Sequence, residues 1–118
     1  MGRVKLAVGR FGEDIAAAHL EAAGLRILDR NWRCAEGEID IVAADGRALV
    51  VCEVKTRSGL GFGDPAEAVD RVKAARLRRL ALRWMAAHET GWRELRFDVV
   101  TVLRRPDGLR VQHVRQAF

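Results

Sequence analysis

The sequence predicts an α/β fold, a single domain spanning residues 1–118 with elements in the order α-β-β-β-α-β-β. The length of 118 residues fits one compact domain. Hydrophobic periodicity switches between the helical and the strand repeat along the chain. Two turn signals, Asp45-Gly46 and Pro106-Asp107-Gly108, each separate two β-rich runs. With 49% hydrophobic and 31% charged residues, the composition excludes disordered, collagen-like and low-complexity classes.

The first two elements are a helix and a short strand. Helix-forming residues predict a helix from about Phe11 to Ala23, and Gly24 supplies its stop signal. The short apolar run that follows predicts a strand over Leu25–Arg33, and then a loop that contains Trp32, Cys34 and Glu36.

The next two strands form a predicted hairpin. The runs GEIDIVAA and RALVVCEVKT flank Asp45-Gly46, a favoured two-residue hairpin turn. Such a turn pairs Ala44 with Arg47 and makes Asp40 and Glu53 diagonal neighbours across the two strands.

A long helix and a second hairpin complete the chain. Asp64-Pro65-Ala66-Glu67 combines an N-cap, a proline at the first helical position and a capping-box glutamate, which predicts a helix from there to about His88. Its predicted apolar stripe is Val69, Val72, Leu77, Leu80, Trp84 and Ala87. The runs ELRFDVVTVL and LRVQHVRQ then flank Pro106-Asp107-Gly108.

The central hairpin carries a predicted cluster of charged side chains. Strand alternation gathers Glu38, Asp40, Glu53 and Lys55 on one face, and predicts Ile39 on the other face with Ile41. Clustered carboxylates are costly unless a cation compensates, and Mg²⁺ binds through one or two of them. Asp40 and Glu53 are therefore candidate ligands of Mg²⁺ or Mn²⁺, with Lys55 placed to position a water nucleophile against a phosphodiester.

Two alternatives remain open at this point. Glu53 and Lys55 could form a salt bridge at the rim of the sheet, with Asp40 solvated at a strand end. A turn of odd length would instead separate Asp40 and Glu53 onto opposite faces, unless a bulge compensated.

The motifs GRFGEDIAAAHL, GEIDIVA, VVCEVKTRS and RFDVV together resemble the YraN-like family of small bacterial proteins, over about Val8 to Val102. That family is placed in the PD-(D/E)XK superfamily, so the resemblance implies a restriction-endonuclease-like core, a mixed central sheet flanked by helices. By similarity, Asp40 matches the first metal-binding acid, Glu53 and Lys55 match the E-x-K pair, and Glu13 matches the helix-one acid of Holliday-junction-resolvase-like members. The backbone carbonyl of Val54 completes the implied metal shell. Ile39 departs from the superfamily proline.

Charge favours a phosphate-rich partner. The net charge is +5, and 18 of the 21 basic residues are arginine, although heavy arginine use is also a coding habit of some genomes. Arg57, in a glycine-rich loop predicted over Thr56–Gly63, and Lys73 and Arg76, one turn apart on the second helix, are the candidate contacts to nucleic acid. DNA is favoured over RNA.

The sequence thus predicts a nucleic-acid-binding protein that is a Mg²⁺-dependent endonuclease, or alternatively a non-catalytic nucleic-acid or protein-binding module with the same fold. Two cysteines without a CxxC, no secretory leader and no long apolar run predict a cytoplasmic protein without a membrane span. Analogy with junction resolvases suggests a homodimer.

Overall fold

The fold is a five-stranded mixed sheet with helices packed on its two faces. The computed structural model describes residues 2–58, 70–88 and 91–118, with side chains from residue 10 onward. The strands lie in sequence order across the sheet, and β3 and β4 are parallel while the other neighbours are antiparallel. This confirms the predicted element order, which is also the order that the resemblance implies. The elements are α1 (Gly2–Ala22), β1 (Arg26–Cys34), β2 (Gly37–Asp45), β3 (Ala48–Ser58), α2 (Arg71–His88), β4 (Glu94–Arg105) and β5 (Gly108–Val114).

Two hydrophobic cores hold the helices to the sheet. Because side chains alternate along a strand, β2, β3 and β4 contribute apolar residues to both faces, and the central strands are buried on both sides. The core under α1 contains Ala16, Ala17, Leu20, Leu25, Ile41, Ala43, Val50, Cys52, Val100 and Val102. The core under α2 contains Ile39, Val42, Leu49, Val51, Ala74, Leu77, Leu80, Ala81, Trp84, Phe97 and Val99.

Helix α1 ends as predicted but begins earlier. Gly24 has a φ of +96°, and the amide of Leu25 donates to the carbonyl of Leu20 at 3.0 Å while that of Gly24 donates to Glu21 at 3.0 Å. These are the two hydrogen bonds of a Schellman motif, which glycine favours. The predicted start at Phe11 is wrong, since the helix runs from Gly2. The residues before Phe11 include several good helix formers, so the glycines there do not end the helix.

Gly12 allows α1 to lie directly against β3. A Cβ atom at this position would overlap the Thr56 side chain, whose Cβ would lie 3.1 Å away. Only a residue without a side chain fits such an approach. This contact sets the distance between the first helix and the strand that carries Glu53 and Lys55.

We expect Gly12→Ala to lower the free energy of unfolding by about 1–3 kcal/mol, because overpacking a close contact displaces its neighbours. In a Thr56→Ala background the same change should cost much less. Urea denaturation of the single and double variants measures the difference. Gly91→Ala is the matched control, since a Cβ there meets nothing within 4 Å. Equal costs for Gly12→Ala in both backgrounds would contradict the contact.

The hairpin between β2 and β3 forms in a different register from the predicted one. Asp45 pairs with Ala48, so that Gly46 and Arg47 are the turn residues, and Gly46 has a φ of +60°. Glycine at the first central position is a common form of two-residue hairpin turn. The predicted pair of Ala44 with Arg47 is therefore wrong by two residues. A shift of two preserves strand alternation, so the expected proximity of Asp40 and Glu53 does not depend on the error.

Strand β2 is irregular next to Asp40. Ile39 packs in the core under α2 and Ile41 in the core under α1, so the prediction that they share a face is wrong. Across the sheet, Trp32 pairs with Ile39 and Arg30 pairs with Ile41, which leaves Asn31 opposite Asp40 with a φ of +54°. Asparagine tolerates this left-handed backbone better than most residues. The irregularity therefore changes the direction of side chains at Asp40.

Two smaller predictions in this region are also corrected. Trp32 and Cys34 belong to β1 and not to a loop, because Cys34 pairs with Gly37 and leaves only Ala35 and Glu36 as the turn.

Helix α2 begins at Arg71. The Asp70 carboxylate accepts a hydrogen bond from the amide of Lys73 at 2.8 Å, which is the bond of an N-cap. One continuous helix from Asp64 is therefore wrong, and the predicted cap at residues 64–67 lies outside the described residues. Val72 is 78% exposed and Ala87 is exposed, whereas Leu77, Leu80 and Trp84 are buried as predicted. Over their described residues, neither helix is long and apolar enough to cross a bilayer.

Candidate active site

Asp40 lies where the pairing of β2 with β3 ends. The last paired residues are Ile41 and Cys52, and Asp40 and Glu53 are the next residues on the two strands. Beyond the last backbone pair, the side chain of Asp40 bonds to β3: its Oδ2 accepts a hydrogen bond of 2.9 Å from the amide of Val54. The side chain is thus fixed beside the backbone of the E-x-K segment.

Glu53 is a buried carboxylate with a lysine partner. Its residue surface is only 8% exposed, and Oε1 lies 2.5 Å from Nζ of Lys73 on α2. Leu49 and Val51, at alternate positions of β3, belong to the core under α2, so strand alternation directs Glu53 toward that helix. The rim salt bridge between Glu53 and Lys55 that the sequence left open is not the pair that forms; Glu53 pairs with Lys73.

The two carboxyl groups are close enough to affect each other. Burial, followed by the negative charge of Glu53, raises the pKa of Asp40 from 3.8 to about 7, and the hydrogen bond from Val54 opposes the shift. Glu13 and Glu38 add smaller contributions that raise the pKa of Asp40 further. An ionised Asp40 is therefore costly in the protein as it stands, and a nearby cation would offset that cost.

The pKa of Asp40 predicts a pH-dependent effect of Asp40→Asn on stability. In wild type the folded state retains the proton up to about pH 7, whereas the unfolded carboxyl releases it near its ordinary value of 3.8. Stability therefore falls as pH rises through this window, by about 2–4 kcal/mol. Asp40→Asn removes that loss, so the variant should match wild type near pH 4 and exceed it by this amount at pH 8.

Urea denaturation in the absence of divalent metal, at pH 4 and at pH 8, measures this effect. Glu21→Gln, an exposed carboxyl in the last turn of α1, should change the free energy of unfolding by less than about 0.5 kcal/mol at either pH. A gap between Asp40→Asn and wild type that stays constant with pH would show that the Asp40 carboxyl titrates normally.

Glu13 of α1 provides a third carboxyl near the cluster. Its Oε1 is buried, has no hydrogen-bond partner among the residues that the structure describes, and lies 4.0 Å from Nη2 of Arg30. Burial raises the pKa of Glu13, and a hydrogen bond with the side chain of Asn31 opposes the rise. Asn31 therefore connects Glu13 to the irregular part of the sheet beside Asp40.

Asp40 and Glu53 would supply only part of the ligands that a metal ion needs. Among the described residues, no three acidic, histidine or cysteine side chains converge closely enough to hold a metal. Mg²⁺ needs only one or two carboxylates, because water and substrate phosphate supply its other ligands. Two carboxylates, Asp40 and Glu53, match that requirement, and burial together with the charge of Glu53 raises the pKa of Asp40. Val54 lies beyond the last β2 to β3 pair, so β2 provides no ladder partner for its carbonyl.

Lys55 and Arg57 follow Glu53 along the same strand. Both are half-buried, and alternation gives them the same face of β3 as Glu53. They pair with Thr101 and Leu103 of β4. The structure therefore aligns the predicted acid, the predicted water-positioning lysine and a predicted phosphate contact in one row. The loop predicted from Thr56 is wrong as far as Ser58, because these residues belong to β3, and residues 59–63, the rest of that loop, lie outside the described residues.

The basic residues of α2 are largely engaged within the protein. Arg79 and Arg83 form ion pairs with Glu36, and the Arg78 guanidinium lies over the ring of Phe97. Arg76, three residues after Lys73, is exposed. Lys73, a predicted contact to nucleic acid, lies against Glu53 of the acidic cluster, and the sequence did not predict this ion pair.

Asp98 belongs to a separate buried network. It has no exposed surface, and Nε and Nη2 of Arg96 donate to its two oxygens at 2.9 and 3.0 Å. His113 Nε2 lies 2.7 Å from Oδ2, and the amide of Gln116 donates to Oδ1 at 3.2 Å. Asp98 thus forms an ion pair with Arg96, two residues before it on the same strand, and ties β5 and the C-terminal residues to β4.

Comparison with known proteins identifies the family. A profile described as "Uncharacterised protein family UPF0102" matches residues 12–102. The UPF0102 protein of Frankia casuarinae is 60% identical over 117 residues, covering 98% of this chain and 99% of the relative. The UPF0102 protein of Beutenbergia cavernae is 58% identical over 114 residues, covering 96% and 97%. The chain therefore belongs to the UPF0102 family, in agreement with the resemblance of its motifs to the YraN-like proteins.

Proposed function

We propose that the protein binds nucleic acid and hydrolyses phosphodiester bonds with Mg²⁺ or Mn²⁺. The observation that carries the proposal is the juxtaposition of two buried carboxyl groups, Asp40 and Glu53: burial first, and the charge of Glu53 second, raise the pKa of Asp40 to about 7. A divalent cation between the two carboxylates would offset their repulsion and bind substrate phosphate oxygens.

The residues have distinct roles in this proposal. Asp40, Glu53 and the Val54 carbonyl would hold the cation, and the hydrogen bond from the Val54 amide keeps Asp40 in position. A cation bound there would supply Lewis-acid chemistry, polarising the phosphodiester and lowering the pKa of the attacking water. Lys55 orients that water from the same face as Glu53, and Glu13 accepts hydrogen bonds from water at the cation.

Nucleic acid is the proposed source of the phosphodiester. The net charge of +5 favours association with a polyanion. Arg57 lies two residues beyond Lys55 on the same face of β3, and Arg76 is exposed on α2, so both contact backbone phosphates that flank the cleaved bond. DNA is the proposed substrate, and a homodimer would suit a substrate with two symmetric strands.

A cleavage assay tests the function. Labelled duplex, single-stranded and four-way-junction DNA, and the matching RNAs, are incubated with the protein and Mg²⁺ or Mn²⁺, and the products are separated on denaturing gels. We expect metal-dependent cleavage of at least one substrate by wild type and by Glu21→Gln, and none by Asp40→Asn or Glu53→Gln. Cleavage that persists in both site variants would refute the assignment.

A second candidate is a binding module that does not cleave. The observation in its favour is the ion pair of Glu53 with Lys73, because it neutralises the buried carboxylate without any metal. Salt-dependent binding of nucleic acid by wild type, with no cleavage in either metal, would support this function.

A further inference from the structure

The ammonium of Lys73 lies against Glu53, one of the two candidate metal ligands. Its Nζ lies 2.5 Å from Oε1 of Glu53, and the two side chains are 27% and 10% exposed. This is a largely buried ion pair between α2 and β3. Such a pair balances the Glu53 charge when no metal is bound, and it also occupies Oε1, one of the two oxygens through which Glu53 would bind a metal.

The backbone that carries Lys73 is fixed. Its amide donates to the Asp70 carboxylate at 2.8 Å, and the next residue, Ala74, is buried in the core under α2. The flexible four-carbon stem of lysine nevertheless allows the ammonium to move while the helix stays in place. A change of rotamer is therefore enough to release Glu53.

A divalent cation and an ammonium cannot share one carboxylate oxygen without strong repulsion. We infer that Lys73 is an exchangeable counter-ion: its ammonium neutralises Glu53 in the metal-free protein, and metal binding displaces it toward the phosphate of the substrate. This inference rests on the proposed function. It makes Lys73 a positioning residue whose ammonium is bound to Glu53 without metal and released when metal binds. This role differs from that of Lys55, which follows Glu53 on β3.

The lysine content of the chain allows a direct test. The sequence has three lysines, Lys5, Lys55 and Lys73. Purified protein is acetylated briefly with an N-hydroxysuccinimide ester, with and without saturating Mn²⁺ and without nucleic acid. Mass spectrometry then gives the labelling rate of each lysine, with Lys5 as the internal reference.

If Mn²⁺ displaces the Lys73 ammonium from Glu53, it should raise the labelling rate of Lys73 severalfold relative to that of Lys5. In Glu53→Gln, which has no charge to hold the ammonium, Lys73 should be labelled rapidly whether or not Mn²⁺ is present. A Lys73 rate that saturating Mn²⁺ leaves unchanged in wild type would overturn the inference.

Metal affinity provides an independent measurement. Lys73→Met removes the competing cation, so its affinity for Mn²⁺ in calorimetry should exceed that of wild type by about tenfold, a value between those expected for exposed and for fully buried charge pairs. Arg71→Met, which removes an exposed positive charge from the first turn of the same helix, should leave the affinity within about twofold of wild type.

The outcomes separate the two proposals. Mn²⁺ binding by wild type with an equal affinity in Lys73→Met would overturn the displacement of Lys73 and leave the metal site intact. Absence of Mn²⁺ binding in wild type and in Lys73→Met, with or without DNA, would overturn the proposed function and the inference together.

Discussion

Replacing Asp98 by alanine should lower the free energy of unfolding by about 3–5 kcal/mol, because removing one partner of a buried ion pair leaves the other charge uncompensated. The change would strip Arg96 of two hydrogen bonds and deprive His113 and the Gln116 amide of their acceptor. Since a small domain has only about 5–15 kcal/mol of stability, much of the fold would be lost. Urea denaturation followed by circular dichroism measures the effect.

Asp107→Asn is the matched control, because Asp107 is exposed in the turn between β4 and β5. It should change the free energy of unfolding by less than about 0.5 kcal/mol. Asp98 also holds the C-terminal residues, whose Ala117 amide donates to the carbonyl of Phe97 at 2.8 Å. Asp98→Ala should therefore speed proteolysis after Arg115. A loss of less than about 1 kcal/mol would show that Arg96 finds other partners.

Lys55→Met should reduce the rate of phosphodiester cleavage by a factor of about 10²–10⁴, the usual contribution of a side chain that positions or transfers a proton in the transition state. Methionine keeps the length of the stem and removes the charge. Because Lys55 is not one of the proposed ligands, affinity for Mn²⁺ should stay within about threefold of wild type. Single-turnover cleavage measures the rate, and calorimetry measures the affinity.

Arg47→Met is the control for loss of a positive charge, since Arg47 is exposed in the turn at the opposite end of β3 from Lys55. It should cleave at close to the wild-type rate. Loss of both cleavage and Mn²⁺ binding in Lys55→Met would instead mean that the lysine supports the metal site itself.

The proximity of Asp40 and Glu53 could be anticipated because strand alternation is a local property of the chain. The turn itself was placed at Asp45-Gly46, whereas Gly46-Arg47 forms, and glycine is favoured in both kinds of turn. In the folded protein the observed register of the hairpin occurs together with the pairing of β3 with β4 and of β1 with β2. The predicted and the observed strand registers differ by two residues, an even number, so the error did not change the predicted proximity of Asp40 and Glu53.

Contacts between a helix and the sheet could not be derived in the same way. The pair of Glu53 with Lys73 depends on where α2 begins and how it rotates against the sheet. The predicted N-cap of this helix was Asp64, whereas Asp70 caps α2 in the structure. At Asn31 the residue type is the only signal, because asparagine tolerates a left-handed backbone better than most residues.

The central claim is that Asp40 and Glu53 together hold a divalent cation, and calorimetric titration with Mn²⁺ tests it most directly. Wild type, Asp40→Asn, Glu53→Gln and the Glu21→Gln control are titrated alone and with a phosphorothioate DNA that resists cleavage. We expect one saturable site in wild type and in the control, and affinities weaker by about 100-fold or more in the two site variants, since even outer-shell partners contribute 10–100-fold. Equally weak binding by all four proteins, with and without DNA, would contradict the claim.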